Sequence, residues 1–174
     1  MITKFGYKLF EQNEKGELFP LFIGKCKETK IGEWVPAEYI PTNGFANRGG
    51  WHLSLEVPDA PHLRGYNGSD LGPYKSRFKN GKRVWCLVEY DSTNDYNEEV
   101  QKLPKKCFQD KCPENGFYFF REFGKNLTWV ITSAIRIVRV IDENERQDIM
   151  KKANYDEVAA YAKYKAAFEK RMAA

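Results

Sequence analysis

The chain has 174 residues, 42% hydrophobic, 15% aromatic and 30% charged, which supplies apolar surface for one self-supporting core and argues against disorder. Its 28 Lys and Arg against 24 Asp and Glu leave a formal charge of +4, too small to mark a dedicated nucleic-acid binder by charge alone. No apolar run nears the roughly 18 residues that span a bilayer, and the opening Met-Ile-Thr-Lys-Phe-Gly lacks the regions of a signal peptide, so the expectation is a cytoplasmic protein with no membrane partner. In that compartment the four cysteines (Cys26, Cys86, Cys107 and Cys112) are expected as reduced thiols.

The first thirty residues read as a hairpin. Phe5, Tyr7 and Leu9 alternate with Lys4 and Lys8, Asn13 to Gly16 supply turn chemistry, and residues 18–23 form a second apolar run whose Pro20 removes a backbone donor and demotes it to an edge strand or bulge. Residues 31–50, with Pro36, Pro41 and Asn43, read as irregular backbone carrying Trp34 and Tyr39 inward. Residues 51–55 alternate as a strand and are closed by Pro58 and Pro61.

Residues 65–81 have loop composition. Residues 84–90, Val-Trp-Cys-Leu-Val-Glu-Tyr, are nearly continuous in β-formers and predict a buried central strand. A polar stretch follows, with one short helix expected over residues 97–103. Residues 117–120 and the β-branched run 129–141 predict further core strands, with Trp85 and Trp129 inside. Beyond them, Asp142 with Glu145 and Asn154 with Glu157 resemble N-cap pairings, and Val158, Tyr161, Tyr164, Phe168 and Met172 recur at helical spacing. The expected fold is therefore α+β: one domain over residues 1–174, with a β-rich core (1–141) built on a mostly antiparallel twisted sheet with long loops, and a C-terminal helical segment (142–174).

No phosphate loop, dinucleotide fingerprint, nucleophile elbow or H-E-x-x-H helix is present in the sequence. Cys107-x4-Cys112 with His52 and His62 could supply four zinc ligands, but the spacing lacks a C-x2-C knuckle, and no metal is expected. His52 leaves a glycine pair in Arg48-Gly49-Gly50-Trp51-His52, where a neutral imidazole could serve as a general base beside backbone open to a ligand; His62 follows in Ala60-Pro61-His62-Leu63. For both, a half-buried ring bonded to a carbonyl is the alternative. Residues 74–83 carry Lys75, Arg77, Lys79, Lys82 and Arg83 with no acidic residue, interleaved with Tyr74 and Phe78. Such a mixture suits phosphates and bases, and equally a charged surface loop.

Tyr7-Lys8-Leu9-Phe10, Pro20-Leu21-Phe22-Ile23, Gly32-Glu33-Trp34, Pro41-Thr42-x-Gly44-Phe45-Ala46-x-Arg48-x-Gly50-Trp51-His52, Ala60-Pro61-His62-Leu63 and Arg83-Val84-Trp85 resemble a group of small proteins of bacteriophages and prophages of gut bacteria. The resemblance covers roughly the first half of the chain and implies a phage origin and a bacterial host cytoplasm; it brings no activity with it. A weaker likeness is to the ADP-ribosyltransferase fold, with residues 7–10, 50–55 and 129–140 framing a nicotinamide pocket. The departures are that Lys8 stands where such enzymes carry His or Arg and that Asn126-Leu127-Thr128 offers no glutamate beside Trp129, Glu122 being the nearest carboxylate.

The expectation is a phage-borne accessory protein, without cofactor, that binds a host protein, one of host defence, or its protein–nucleic-acid complex. Lys75, Arg77, Lys79, Lys82, Arg83, Trp51 and His62 are its candidate contacts, and bare nucleic acid is expected to bind weakly. The alternative is an NAD- or nucleotide-using enzyme with His52, Arg48 and Glu122 as catalytic candidates.

Overall fold

The computed structural model describes residues 1–22, 24–38, 49–64, 74–102, 112–121 and 127–174. Its centre is β1 (Thr3–Gln12), the first strand of the chain, all ten of whose residues pair antiparallel with β5 (Lys82–Asp91), from Thr3 opposite Asp91 to Gln12 opposite Lys82. The other edge of β1 takes β2 (Leu18–Phe19), across the turn that Gly16 completes at φ 84°, and β4 (Trp51–Ser54). Pro20 ends β2 after two residues, because it has no N–H to continue the ladder.

Outward from β5 come β9 (Ala134–Ile141) and β3 (Trp34–Pro36); outward from β4 come β8 (Trp129–Thr132), β7 (Gly116–Phe120) and β6 (Asn94–Asp95). Every neighbouring pair is antiparallel except β6 with β7. The helices among the described residues are α1 (Asn97–Gln101), α2 (Glu143–Lys152) and α3 (Glu157–Ala173), with a 3₁₀ turn at Pro61–Leu63. The architecture is thus α+β on a mostly antiparallel sheet. No helix among the described residues is long and apolar enough to cross a membrane.

The run 129–141 is two strands, not one. Ser133 alone separates β8 from β9, yet in the sheet they stand four places apart. Four steps of a flat sheet cover about 19 Å, whereas the two Cα–Cα steps across Ser133 reach about 7 Å at most. The sheet is therefore curled, so that β8 and β9 meet behind it. Thr132 Oγ1 donates to Asp91 O on β5 at 2.9 Å, and the Trp51 indole N–H donates to Val35 O on β3 at 3.0 Å, bonds that a flat sheet would forbid.

Curling gives the sheet two apolar faces. The concave face gathers Phe10, Leu53, Val88, Tyr90, Phe117, Val130, Ile135 and Ile137. The convex face holds Leu9, Trp85, Trp129 and Ile141 against Ala60, Leu63 and Ile149, under the segment after β4 and α2. Trp85 and Trp129 are buried there as expected. The alternation of β1 does not divide inside from outside: Lys8 shares the concave face with Phe10, while Phe5 is 53% exposed.

Two buried carboxylates tie the convex side together. Asp59, fully buried, accepts from Tyr74 Oη (2.6 Å), Arg64 Nη2 (3.1 Å) and Arg146 Nη2 (3.3 Å) on one oxygen and from Tyr155 Oη (2.6 Å) on the other. Glu157 at the start of α3 accepts from the same two guanidiniums, so one cluster fastens α2 and α3 to the 3₁₀ turn. Burial and the Asp59 carboxylate together raise the Tyr74 and Tyr155 phenols far above their usual range. The cap of α2 is Asp142, which accepts from Glu145 N at 2.8 Å; α3 is capped by Asp156, whereas Asn154 takes φ 52° after α2. The terminal stripe docks on the 3₁₀ turn: Tyr161 is buried, the Tyr164 ring meets His62 edge-on, and Phe168 and Met172 are exposed.

Candidate functional site

Glu11, like Asp59, is a fully buried carboxylate, and it decides how the basic segment is built. It lies in phase with Tyr7 and Leu9 on the convex face, directly opposite Arg83 in the β1–β5 ladder. Arg83 Nε donates to it at 2.8 Å, Ser76 Oγ donates at 2.6 Å, and Arg77 Nη1 stands 3.9 Å away. Arg77 also lies over the Phe78 ring and donates to the carbonyls of Pro20, Leu21 and Lys25, holding these three residues around its guanidinium. Both arginines are thus engaged by the scaffold, Arg83 largely covered and Arg77 still 30% exposed.

Lys75, Lys79 and Lys82 remain exposed. The Asn80 amide donates to Glu14 at 3.3 Å and Arg77 holds Lys25 O, so the turn carrying Lys15 and the loop carrying Lys25 and Lys27 lie against the same end of the molecule. Within it Phe19 packs on Phe78 with ring centres 5.2 Å apart, and Phe22 is 59% exposed. The result is a ridge of flexible ammonium groups drawn from three segments, braced from beneath by Glu11 and two arginines.

The glycine pair before Trp51 has a packing origin. A Cβ on Gly50, whose φ is 108°, would sit 2.8 Å from Ile131 Cγ2 on β8, and one on Gly49 would sit 2.5 Å from Cys112 N ahead of β7; the chain passes both segments too closely for a side chain. Trp51 itself is a clasp, its N–H on Val35 O and its ring 5.4 Å from the Lys8 ammonium. His52 projects from the opposite face of β4 to Trp51, and its carbonyl accepts from Lys8 Nζ at 2.9 Å. His62 lies in the joint between sheet and tail, edge-on to Trp129 with ring centres 5.4 Å apart. Arg48 and Glu122 lie outside the described residues, as does Cys107. Among the described residues no group of three or more His, Cys, Asp and Glu is placed to hold a metal ion.

Lys8 is a second group of chemical interest. Its ammonium sits between the Phe10 and Trp51 rings, across the ladder from the buried Cys86 thiol, and no carboxylate pairs with it among the described residues. Burial lowers its pKa to about 8, and burial likewise pushes the Cys86 thiol up to about 12. An amine that is partly neutral near physiological pH could carry chemistry, but the surrounding rings and carbonyl are those of a satisfied interior lysine. Comparison with protein-family models, curated proteins and solved structures gives no match to this chain.

Proposed function

We propose that this protein acts by binding, as a phage-type accessory protein that engages a host protein or host protein–nucleic-acid complex through its basic end, rather than through a catalytic centre. The observation that supports this most is the division of labour in residues 74–83: Arg77 and Arg83 are spent on Glu11 and on backbone carbonyls, and they present the lysines outward on a fixed frame. A surface of this kind attracts an acidic partner and accelerates encounter. His52 and His62, the two histidines, lie at a strand clasp and a helix joint, which favours binding over NAD or nucleotide chemistry.

The test is affinity capture by the tagged full chain from a bacterial host lysate, run in parallel with the Lys75→Glu, Lys79→Glu, Lys82→Glu triple variant. A partner held by the native chain and lost by the folded variant is the expected result. Identical captures, or a melting temperature that climbs with NAD, would overturn the reading, since a ligand at about 100 times its Kd stabilises by about 2.7 kcal/mol.

A further inference from the structure

We propose that the basic end receives the phosphate backbone of single-stranded nucleic acid, with the exposed Phe22 ring as a platform for a base; this rests on the reading of that end as the working surface. Charge is concentrated there to a degree the whole-chain figure conceals. Residues 11–30 and 74–83 together hold nine Lys and Arg and four Glu, a net +5, whereas the whole chain is +4. One of those glutamates, Glu11, is buried and already paired with Arg83, and Glu14 and Glu17 are engaged by Asn80 and Asn13.

The type of cation selects the kind of partner. An acidic protein surface is best read by arginine forks, which match carboxylates two bonds at a time. Here both forks are already occupied, Arg83 by Glu11 and the 30% exposed Arg77 by backbone carbonyls, and the unoccupied outward groups are lysines, point charges on flexible stems that follow a phosphate chain without fixed geometry. Lys15, Lys25, Lys27, Lys75, Lys79 and Lys82 come from three separate segments, so they form a track rather than a single-anion pocket.

The aromatic component separates single strands from duplexes. Phe22 stands 59% exposed next in sequence to Leu21, whose carbonyl Arg77 holds. A ring among lysines offers its face to an unpaired base, which a duplex keeps stacked within itself. Lysine contacts without base-reading forks further imply little sequence preference.

Fluorescence anisotropy of the full chain with labelled dT20 and a 20-base-pair duplex, between 25 and 200 mM NaCl, tests this. Binding of dT20 at low salt is expected, with log Kobs falling against log salt by about 0.7 per engaged lysine. Lys79→Ala with Lys82→Ala should reduce that slope by about 1.4, and Phe22→Ala should weaken binding roughly fivefold to a hundredfold with the slope unchanged. No binding at 25 mM salt, a slope indifferent to the lysine pair, or equal affinity for the duplex with no effect of Phe22→Ala would each overturn the inference. If the oligonucleotides fail while the triple reversal still abolishes partner capture, the basic end docks on an acidic protein: this inference falls and the broader reading stands.

Discussion

Arg83 donates from Nε to Oε1 of Glu11 at 2.8 Å, and the two residues face each other in the β1–β5 ladder. Glu11 is fully buried while the Arg83 side chain retains 19% exposure. Removing the arginine would leave the buried carboxylate with the Ser76 hydroxyl and an Arg77 guanidinium 3.9 Å away, without its close charged partner. Arg83→Ala is expected to cost about 3 kcal/mol, whereas Lys79→Ala and Lys82→Ala stay within about 0.5 kcal/mol of the native chain. Urea denaturation of the three variants checks this, and equal midpoints would show that the pair does not brace the basic end.

Trp129 is packed on the convex face with Leu9, Trp85 and Ile141 and is touched edge-on by His62. Trp129→Ala is expected to lose about 3–5 kcal/mol, much of the stability of a domain this size. A thermal melt decides it, and native-like melting would mean that the joint between sheet and tail can close over the gap.

Asp59 is the common acceptor of two tyrosines and two arginines. Asp59→Ala removes the fully buried anion shared by Arg64 and Arg146, leaving Arg146 to Glu143 and both arginines to the half-buried Glu157, and should cost on the order of 3–5 kcal/mol. A chain ending after Asn154 loses Glu157 and the buried Tyr161 together and should also be destabilised. The check is urea unfolding followed by far-ultraviolet circular dichroism, and a truncated chain as stable as the native one would make the terminal helix an appendage.

The lowered pKa of Lys8 makes a signed pH prediction. Its folded value is about 8 against an ordinary 10.5, so below pH 8 both states hold the proton and the cost of burying the charge is fully present. Between those two values the unfolded state keeps a proton that the folded state has released, and stability rises with pH. Cys86 and Tyr90 oppose this: burial raises each to about 12, from 9.0 and 10.0, so their unfolded forms ionise first as alkalinity increases. The stability difference between the native chain and Lys8→Met isolates the lysine. It should climb from pH 8 towards 10.5 by up to about 1.4 kcal/mol per unit; a flat difference would place the amine in water.

The strands and the tail were legible in the sequence because β-branched runs and three-to-four spacing are local signals, and β5, β7 and α3 follow from them. The corner at Ser133 was not. Neither Gly nor Pro marks it; the bend is imposed by Ser133 N on Gly116 O and Ser133 Oγ on Asp91, partners 17 and 42 residues away. The basic segment was legible as charge but not as two populations, since the carboxylate that withdraws Arg83 is 72 residues earlier. One signal was present: Glu11 keeps the phase of Tyr7 and Leu9, and a carboxylate in step with inward apolar residues requires a cation opposite. Asp59 offered no comparable mark, its partners being Arg64, Tyr74, Arg146 and Tyr155.

The position of β1 sets the order in which the molecule can be made. Of these strands the earliest to be synthesised lies in the middle of the sheet, yet its long partner β5 begins at Lys82 and β9 ends at Ile141. Residues 3–12 must therefore wait, unpaired on their β5 edge, through some seventy residues of synthesis, and the curl closes only once Ser133 and β9 have emerged. At about 5–20 residues per second that is an interval of several seconds, during which Phe5, Tyr7, Leu9 and Phe10 are open to chaperones. The alternating lysines of that strand, Lys4 and Lys8, would act then as gatekeepers against aggregation, before Lys8 is drawn into the interior.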